Sequence, residues 1–201
     1  MDEGPRVATQ DEAGTVTELV VTAFYNDPTW AWVFPDPDAR REQHRAFWRL
    51  FVDGALRYPW VWLAAGDVAT SIWIPPGGHD MSEDQEAAMA ALLADLPDPV
   101  GPRASRAFEV FEAAHPREEA HYYLSLLATD PAHHGHGHGL RLLADNLRRL
   151  DAEGASAYLE ASNPANVPLY ERYGFTLLGA FELPHGGPTV HTMWRTPRGT
   201  G

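Results

Sequence analysis

Apolar residues return every three or four positions through 12–24, with Val16, Leu19, Val20 and Ala23 on one face, which predicts an amphipathic helix. A short first strand is expected just ahead of it, over 7–9. The segment 26–38 holds three prolines and three aromatics and reads as a structured loop. The helical period resumes over 40–58 through Phe47, Leu50 and Phe51. Two apolar runs, 60–64 and 68–74, flank a Gly66-Asp67 turn and predict a β-hairpin that Pro75-Pro76-Gly77-Gly78 ends. Helices are expected over 82–96, where Ser82 and Gln85 have the spacing of a capping box, and over 103–114.

The second half alternates more tightly. His121–Thr129 is rich in Tyr and Leu and short enough for a buried strand. After a glycine-dense stretch, 140–153 places Leu142, Leu143, Leu147 and Leu150 on one helical face. Ser156–Ala161 reads as a strand, 167–173 as a short helix, and 175–183 with 190–195 as a closing strand pair. The pattern shows neither repeat nor linker, so one mixed α/β domain is expected over residues 1–201.

Composition removes several function classes. The 201 residues contain no cysteine, which rules out disulfides, thiolate catalysis and cysteine-based zinc sites. Fifteen Lys and Arg against twenty-eight Asp and Glu leave a net charge of −13, which repels a phosphate backbone and favours cationic ligands. No nucleic acid partner is expected. Residues 1–10 are acidic and lack an apolar core, and no run spans a bilayer, so a soluble, cytoplasmic protein without a membrane partner is expected. It is expected to be a monomer or homodimer.

The chemistry concentrates between the strand at His121–Thr129 and the helix after it, in Asp130-Pro131-Ala132-His133-His134-Gly135-His136-Gly137-His138-Gly139-Leu140. Glycines at every second position allow positive φ and close approach of a ligand to the backbone. Successive N–H groups then converge beside a helix N-terminus, which suits a pyrophosphate. The spacing is neither G-x-G-x-x-G nor a P-loop, since no Lys-Ser/Thr follows. The four histidines invite a metal, but alternation with glycine gives little rigidity, and no metal is expected.

Downstream, Leu159-Glu160 leads through Ala161-Ser162-Asn163-Pro164-Ala165 into Asn166-Val167-Pro168-Leu169-Tyr170-Glu171-Arg172-Tyr173-Gly174-Phe175. Glycine turn, strand, polar turn and tyrosine-bearing helix, in this order, resemble the GNAT superfamily of N-acetyltransferases over residues 121–196. Together with Ile72-Trp73-Ile74-Pro75-Pro76, they are most similar to the actinobacterial group that includes puromycin N-acetyltransferase. The resemblance implies a GNAT-like α/β fold, a mostly antiparallel sheet with a splayed central strand pair flanked by helices. It implies acetyl-CoA as co-substrate and a small amine as acceptor, in antibiotic self-resistance or natural-product tailoring, by direct transfer in a ternary complex. Residues 121–196 would be the acetyl-CoA half and 1–120 the acceptor side.

By the same resemblance, the backbone of Leu127 and Thr129 pairs with pantetheine. The amides of Gly135, His136, Gly137, His138, Gly139 and Leu140 hold the pyrophosphate. Asn163 or Asn166 contacts the pantetheine or phosphate arm, and Tyr170 sits near the sulfur. His134 stands where the family usually has Arg or Gln, which weakens the phosphate contact or makes it pH-dependent. Acyl transfer needs a neutral amine and a proton for the leaving thiolate. Tyrosine, with a reference pKa of about 10, is a suitable general acid, and Glu160 is either a relay for the amine proton through water or a solvated strand-end carboxylate. Trp30, Trp32 and Trp73 are candidate acceptor contacts, with core packing the alternative for each and the favoured one for Trp73 and Phe34. A protein-lysine acetyltransferase and a non-catalytic CoA-binding module are the competing readings.

Overall fold

In the computed structural model, which describes residues 4–199, seven strands form one sheet in the order β1-β2-β3-β4-β5-β7-β6. The strands are β1 (Arg6–Val7), β2 (Val61–Leu63), β3 (Ala69–Ile74), β4 (His121–Thr129), β5 (Ser156–Ala161), β6 (Thr176–Glu182) and β7 (Thr189–Arg195). Every neighbouring pair is antiparallel except β4–β5. Met1–Glu3 lie outside the described residues, so the acidic start of the chain is seen only from Gly4 onward.

Helices cover both faces. On one side lie α1 (Ala13–Phe24), α2 (Pro28–Val33), α3 (Pro37–Ala55), α4 (Glu83–Asp95) and α5 (Val100–Ala114). Val16, Val20, Phe47, Trp48, Ile72, Leu126 and Ala128 form the centre of that core. On the other side lies α6 (His138–Glu153), whose Leu142, Leu143, Leu147 and Leu150 pack on Leu124, Leu159, Trp73 and Met193. Each leucine buried in this way contributes about 1.5–3 kcal/mol. The short α7 (Val167–Arg172) follows β5 and turns at Gly174, φ 91°, into β6.

Segment 26–38, expected as a loop, contains a helix and the start of another. Pro28 and Pro37 are not breakers here, because each sits in a first helical turn, where its missing N–H costs nothing. Asp27 caps α2 through Thr29 N at 2.9 Å and Trp30 N at 3.3 Å, and Asp36 caps α3 through Asp38 N at 3.0 Å. Helices α3, α5 and α6 likewise begin two or three residues earlier than apolar spacing suggests, because Pro37, Gly101-Pro102 and Gly139 interrupt the apolar period in their first turns without breaking the helix. The first strand is Arg6–Val7 rather than 7–9, since the Thr9 N–H turns to the Glu12 carboxylate at 2.8 Å.

Two irregularities in β4 set the geometry at the centre of the sheet. Ile72 pairs with Leu126 but Trp73 pairs with Leu124, which leaves Ser125 as the extra residue of a bulge. Side chains below and above the bulge therefore exchange faces: Leu124 joins the α6 core and Leu126 the opposite one. Register between β4 and β5 ends at Leu124–Leu159, and the two strands then diverge.

Candidate active site

The divergence opens a cavity of about 1600 Å³ lined by both strand ends, the glycine turn and the start of α7. From the other half of the chain, Asp27, Trp30, Asp80 and His115 reach the same cavity. Leu127 and Thr129 lie beyond the last β5 partner of β4 and line it.

Side chains hold two carbonyls of the glycine turn and one at the end of β4. His134 Nε2 donates to the Thr129 carbonyl at 3.1 Å, His136 Nδ1 to the His134 carbonyl at 3.1 Å, and Arg141 Nη1 to the His136 carbonyl at 2.6 Å. Gly135 and Gly137 hold φ of 81° and 72°. The first α6 backbone bond runs from Arg141 N to Gly137 O at 2.9 Å, so the amides of His138, Gly139 and Leu140 have no carbonyl within the helix. Gly139 serves close packing instead, since a Cβ there would fall 2.4 Å from Thr129 Oγ1. His134 thus spends a ring nitrogen on folding the turn. Arg141, which sequence reasoning passed over, braces the same turn one helical turn downstream of Gly137.

Glu160, near the end of β5, is buried, with a side chain only 2% exposed. Its Oε2 has no hydrogen-bond partner among the described residues, and its Oε1 lies 3.7 Å from His115 Nδ1. Around it, burial raises the Tyr123 and Tyr158 hydroxyls above the usual tyrosine range, and the Glu160 charge adds to both shifts. Asp80 accepts a hydrogen bond from Ser125 Oγ at 2.7 Å. Burial pushes its pKa up to about 6, against that bond, with Glu160 adding to the rise.

Tyr170 projects from α7 into the cavity, its ring edge-on to Phe175 at 6.0 Å. Burial, followed by the nearby Asp27 charge, pushes its pKa up to about 12, so the hydroxyl stays protonated. Asp27 is itself raised by burial, in spite of accepting bonds from Ser162 Oγ, Trp30 N and Thr29 N. Ser162 Oγ reaches Asp27 at 2.8 Å, and Thr29 Oγ1 reaches the Ser162 carbonyl at 3.0 Å. These bonds tie the first turn of α2 to the end of β5. Asn163 caps the turn before α7 through Ala165 N at 3.0 Å, and both Asn163 and Asn166 line the cavity.

The three tryptophans part company. Trp30 lines the cavity but is mostly packed among Phe47, Trp48 and Phe111. Trp32 lies outside it, beneath the Arg103 guanidinium at 4.8 Å. Trp73 is fully buried on the α6 face, its indole N–H donating to Asn146 Oδ1 at 3.1 Å. Asp27, Asp80, His115, His121 and Ser125 were missed by sequence reasoning. Only Asp27 carried a local signal, as the capping residue before a proline.

Similarity to known proteins agrees with this fold. An acetyltransferase of Corynebacterium glutamicum, described as histone acetyltransferase HPA2 and related acetyltransferase, superposes with a TM-score of 0.73 at 24% identity, covering 98% of each chain. Drosophila melanogaster polyamine N-acetyltransferase superposes at 0.64 with 14% identity, over 96% of this chain and 98% of that one. A mosquito arylalkylamine N-acetyltransferase, like 5b, does so at 0.56 with 18% identity, over the same shares. The model of the Acetyltransferase (GNAT) family matches residues 21–175, well over half the chain. This chain belongs to the GNAT acetyltransferase family.

Proposed function

We propose that this protein transfers an acetyl group from acetyl-CoA to an amine of a small molecule. The observation that carries the reading is the pairing of a buried carboxylate, Glu160, with a protonated phenol, Tyr170, on one cavity where two strands separate. The residues suit the co-substrate: free amides at His138–Leu140, positive-φ glycines beside them and an unpaired backbone edge at Leu127–Thr129. The amides of residues 135–140 would hold the pyrophosphate, and that strand edge would hold the extended pantetheine arm. Acetyl-CoA, when bound, supplies the thioester carbonyl that the amine attacks.

An alkyl amine, with a pKa near that of lysine at about 10.4, arrives as ammonium and must lose a proton before it attacks. Glu160 receives that proton at Oε2, the oxygen left without a partner. Tyr170 donates a hydrogen bond to the departing sulfur. A phenol near pKa 12 is a weaker acid than a thiol at about 8.5, so the bond stabilises the thiolate more than it protonates it.

Small amines fit better than a protein lysine because the cavity is walled by α2, by the segment around Asp80 and by the end of α5. The relatives named as polyamine and arylalkylamine N-acetyltransferases agree with that class. An antibiotic or natural-product amine, in a soluble cytoplasmic setting, is the role this reading carries forward. The test is thiol release from acetyl-CoA across a panel of small amines and lysine peptides, with products read by mass spectrometry. Acetylated small amines support the reading, acetylated peptides alone redirect it to protein lysine, and binding without thiol release leaves a CoA-binding module.

A further inference from the structure

Glu160 does not stand alone. His115, the residue that ends α5, places its ring edge-on against Tyr123 and Tyr158, at 4.9 Å from each, and 5.1 Å from the His121 ring. Its Nδ1 is 3.7 Å from Glu160 Oε1, and its Nε2 is 3.1 Å from His121 Nε2. His121 Nδ1 lies 2.7 Å from the Glu119 backbone carbonyl.

These contacts fix where the hydrogens sit. A carbonyl only accepts, so His121 Nδ1 carries a hydrogen. Burial lowers the basicity of His121, and a neutral ring then presents a lone pair at Nε2. His115 Nε2 must therefore be the donor between the two rings. That leaves the His115 Nδ1 lone pair facing Glu160 Oε1, two acceptors turned toward each other and lacking one proton.

We propose that Glu160 and His115 form a two-part base, in which the proton taken from the acceptor ammonium is passed from the carboxylate to His115 Nδ1. This rests on the acetyltransferase reading above. The ammonium N–H bond breaks as an O–H bond forms at Glu160 Oε2. The protonated carboxyl turns about its Cγ–Cδ bond to bring that proton to the side of His115 Nδ1, and its loss to Nδ1 restores the carboxylate and makes an imidazolium. The His115 side chain is 27% exposed, so the imidazolium returns its proton to water. His121 is a positioning residue, because its tautomer, set by the Glu119 carbonyl, determines which nitrogen of His115 is free.

Other groups around His115 keep this pair distinct. Tyr123 and Tyr158 stay neutral, Glu112 on α5 is engaged by Arg117, and Asp80 adds a second carboxyl field from the segment ahead of α4. Glu119, next to His121, is bonded through its side chain to Ser156 Oγ at 2.9 Å.

The experiment compares wild type with His115→Gln, His115→Ala and His121→Gln over pH 6–10, with acetyl-CoA affinity measured separately. His115→Gln is expected to lower kcat by ~10–10²-fold near pH 7 while acetyl-CoA Kd holds within about twofold. The deficit should shrink toward pH 10, where the amine arrives neutral, and added imidazole should restore part of the activity of His115→Ala. His121→Gln should show a smaller loss with the same pH trend. Unchanged kcat in His115→Gln, or a loss constant with pH and untouched by imidazole, overturns the dyad while the wild-type turnover leaves acetyl transfer standing. Histidine ¹⁵N spectra, which need no turnover, are expected to show His121 as the Nδ1–H tautomer and His115 as Nε2–H. The opposite tautomer in either ring overturns the proposal as well. A wild type that releases no thiol with any amine removes acetyl transfer, and the dyad's role with it.

Discussion

Asp80→Asn should make the protein more stable at pH 8 and no more stable near pH 4. Asp80 has no basic partner within salt-bridge distance among the described residues, and its Oδ1 accepts from Ser125 Oγ. Its folded pKa of about 6, against a reference of 3.8, means that the folded state holds the proton more tightly than the unfolded chain does. Stability from this group therefore falls as pH rises through the window between about 4 and 6, and the full penalty is present above 6. Two pKa units correspond to about 3 kcal/mol. Asparagine removes the charge and keeps an oxygen for Ser125, but its amide nitrogen needs a new acceptor, which subtracts about 1 kcal/mol. The net gain of about 2 kcal/mol converts to a Tm higher by ~4–8 °C at pH 8 for a chain of this size. Thermal unfolding of both proteins at pH 8 and pH 4 measures it. At pH 4 the aspartate is protonated in the folded state and about half protonated in the unfolded chain, so the variant should lose its advantage. A Tm difference that is absent at pH 8, or equal at the two pH values, would refute the claim that the Asp80 charge is buried at a cost.

Tyr170→Phe should lower kcat by ~10²-fold with acetyl-CoA Kd nearly unchanged, because the change removes a hydroxyl and leaves the ring on Phe175; an equally active variant takes Tyr170 out of the mechanism. Gly137→Val puts a β-branched residue at φ 72°, where L side chains are strained, so calorimetry should show acetyl-CoA binding lost, and retained affinity would place the phosphates elsewhere. If the acceptor is cationic, its kcat/KM should fall as salt rises from low ionic strength to about 0.5 M, since a chain of charge −13 steers cations, and a flat salt profile counts against steering.

The second half of the chain is the more legible in sequence. His121–Thr129 and Ser156–Ala161 are strands with the bounds expected, because each is a short apolar run that a buried central strand demands. The glycine turn announces itself for a similar reason, as local backbone needs select local residues. The first half is harder. Pro28 and Pro37 look like breakers until the capping aspartates beside them are recognised, and Trp32 stays open between core and ligand contact until its packing beneath Arg103 is seen. The cluster at Glu160 is least visible, because His115, His121 and Asp80 meet only through the topology. A helix end, a central strand and a loop converge there, and neither periodicity nor spacing encodes such a meeting.

An unpaired strand edge on a protein surface is ordinarily a hazard, since it templates pairing with other chains. The edge that β4 leaves open past Leu124 is not at the margin of the sheet but in its middle, with β5 standing away on one side and helices above and below. A whole polypeptide strand must bring side chains to both faces, and beside the gap those faces already carry Leu126 and Leu127, packed into the two cores. A thin, linear molecule with amide groups along its length meets no such obstacle. On the proposed reading, the gap sorts visitors by cross-section before any side chain takes part, favouring an amide-bearing tether over a neighbouring protein strand.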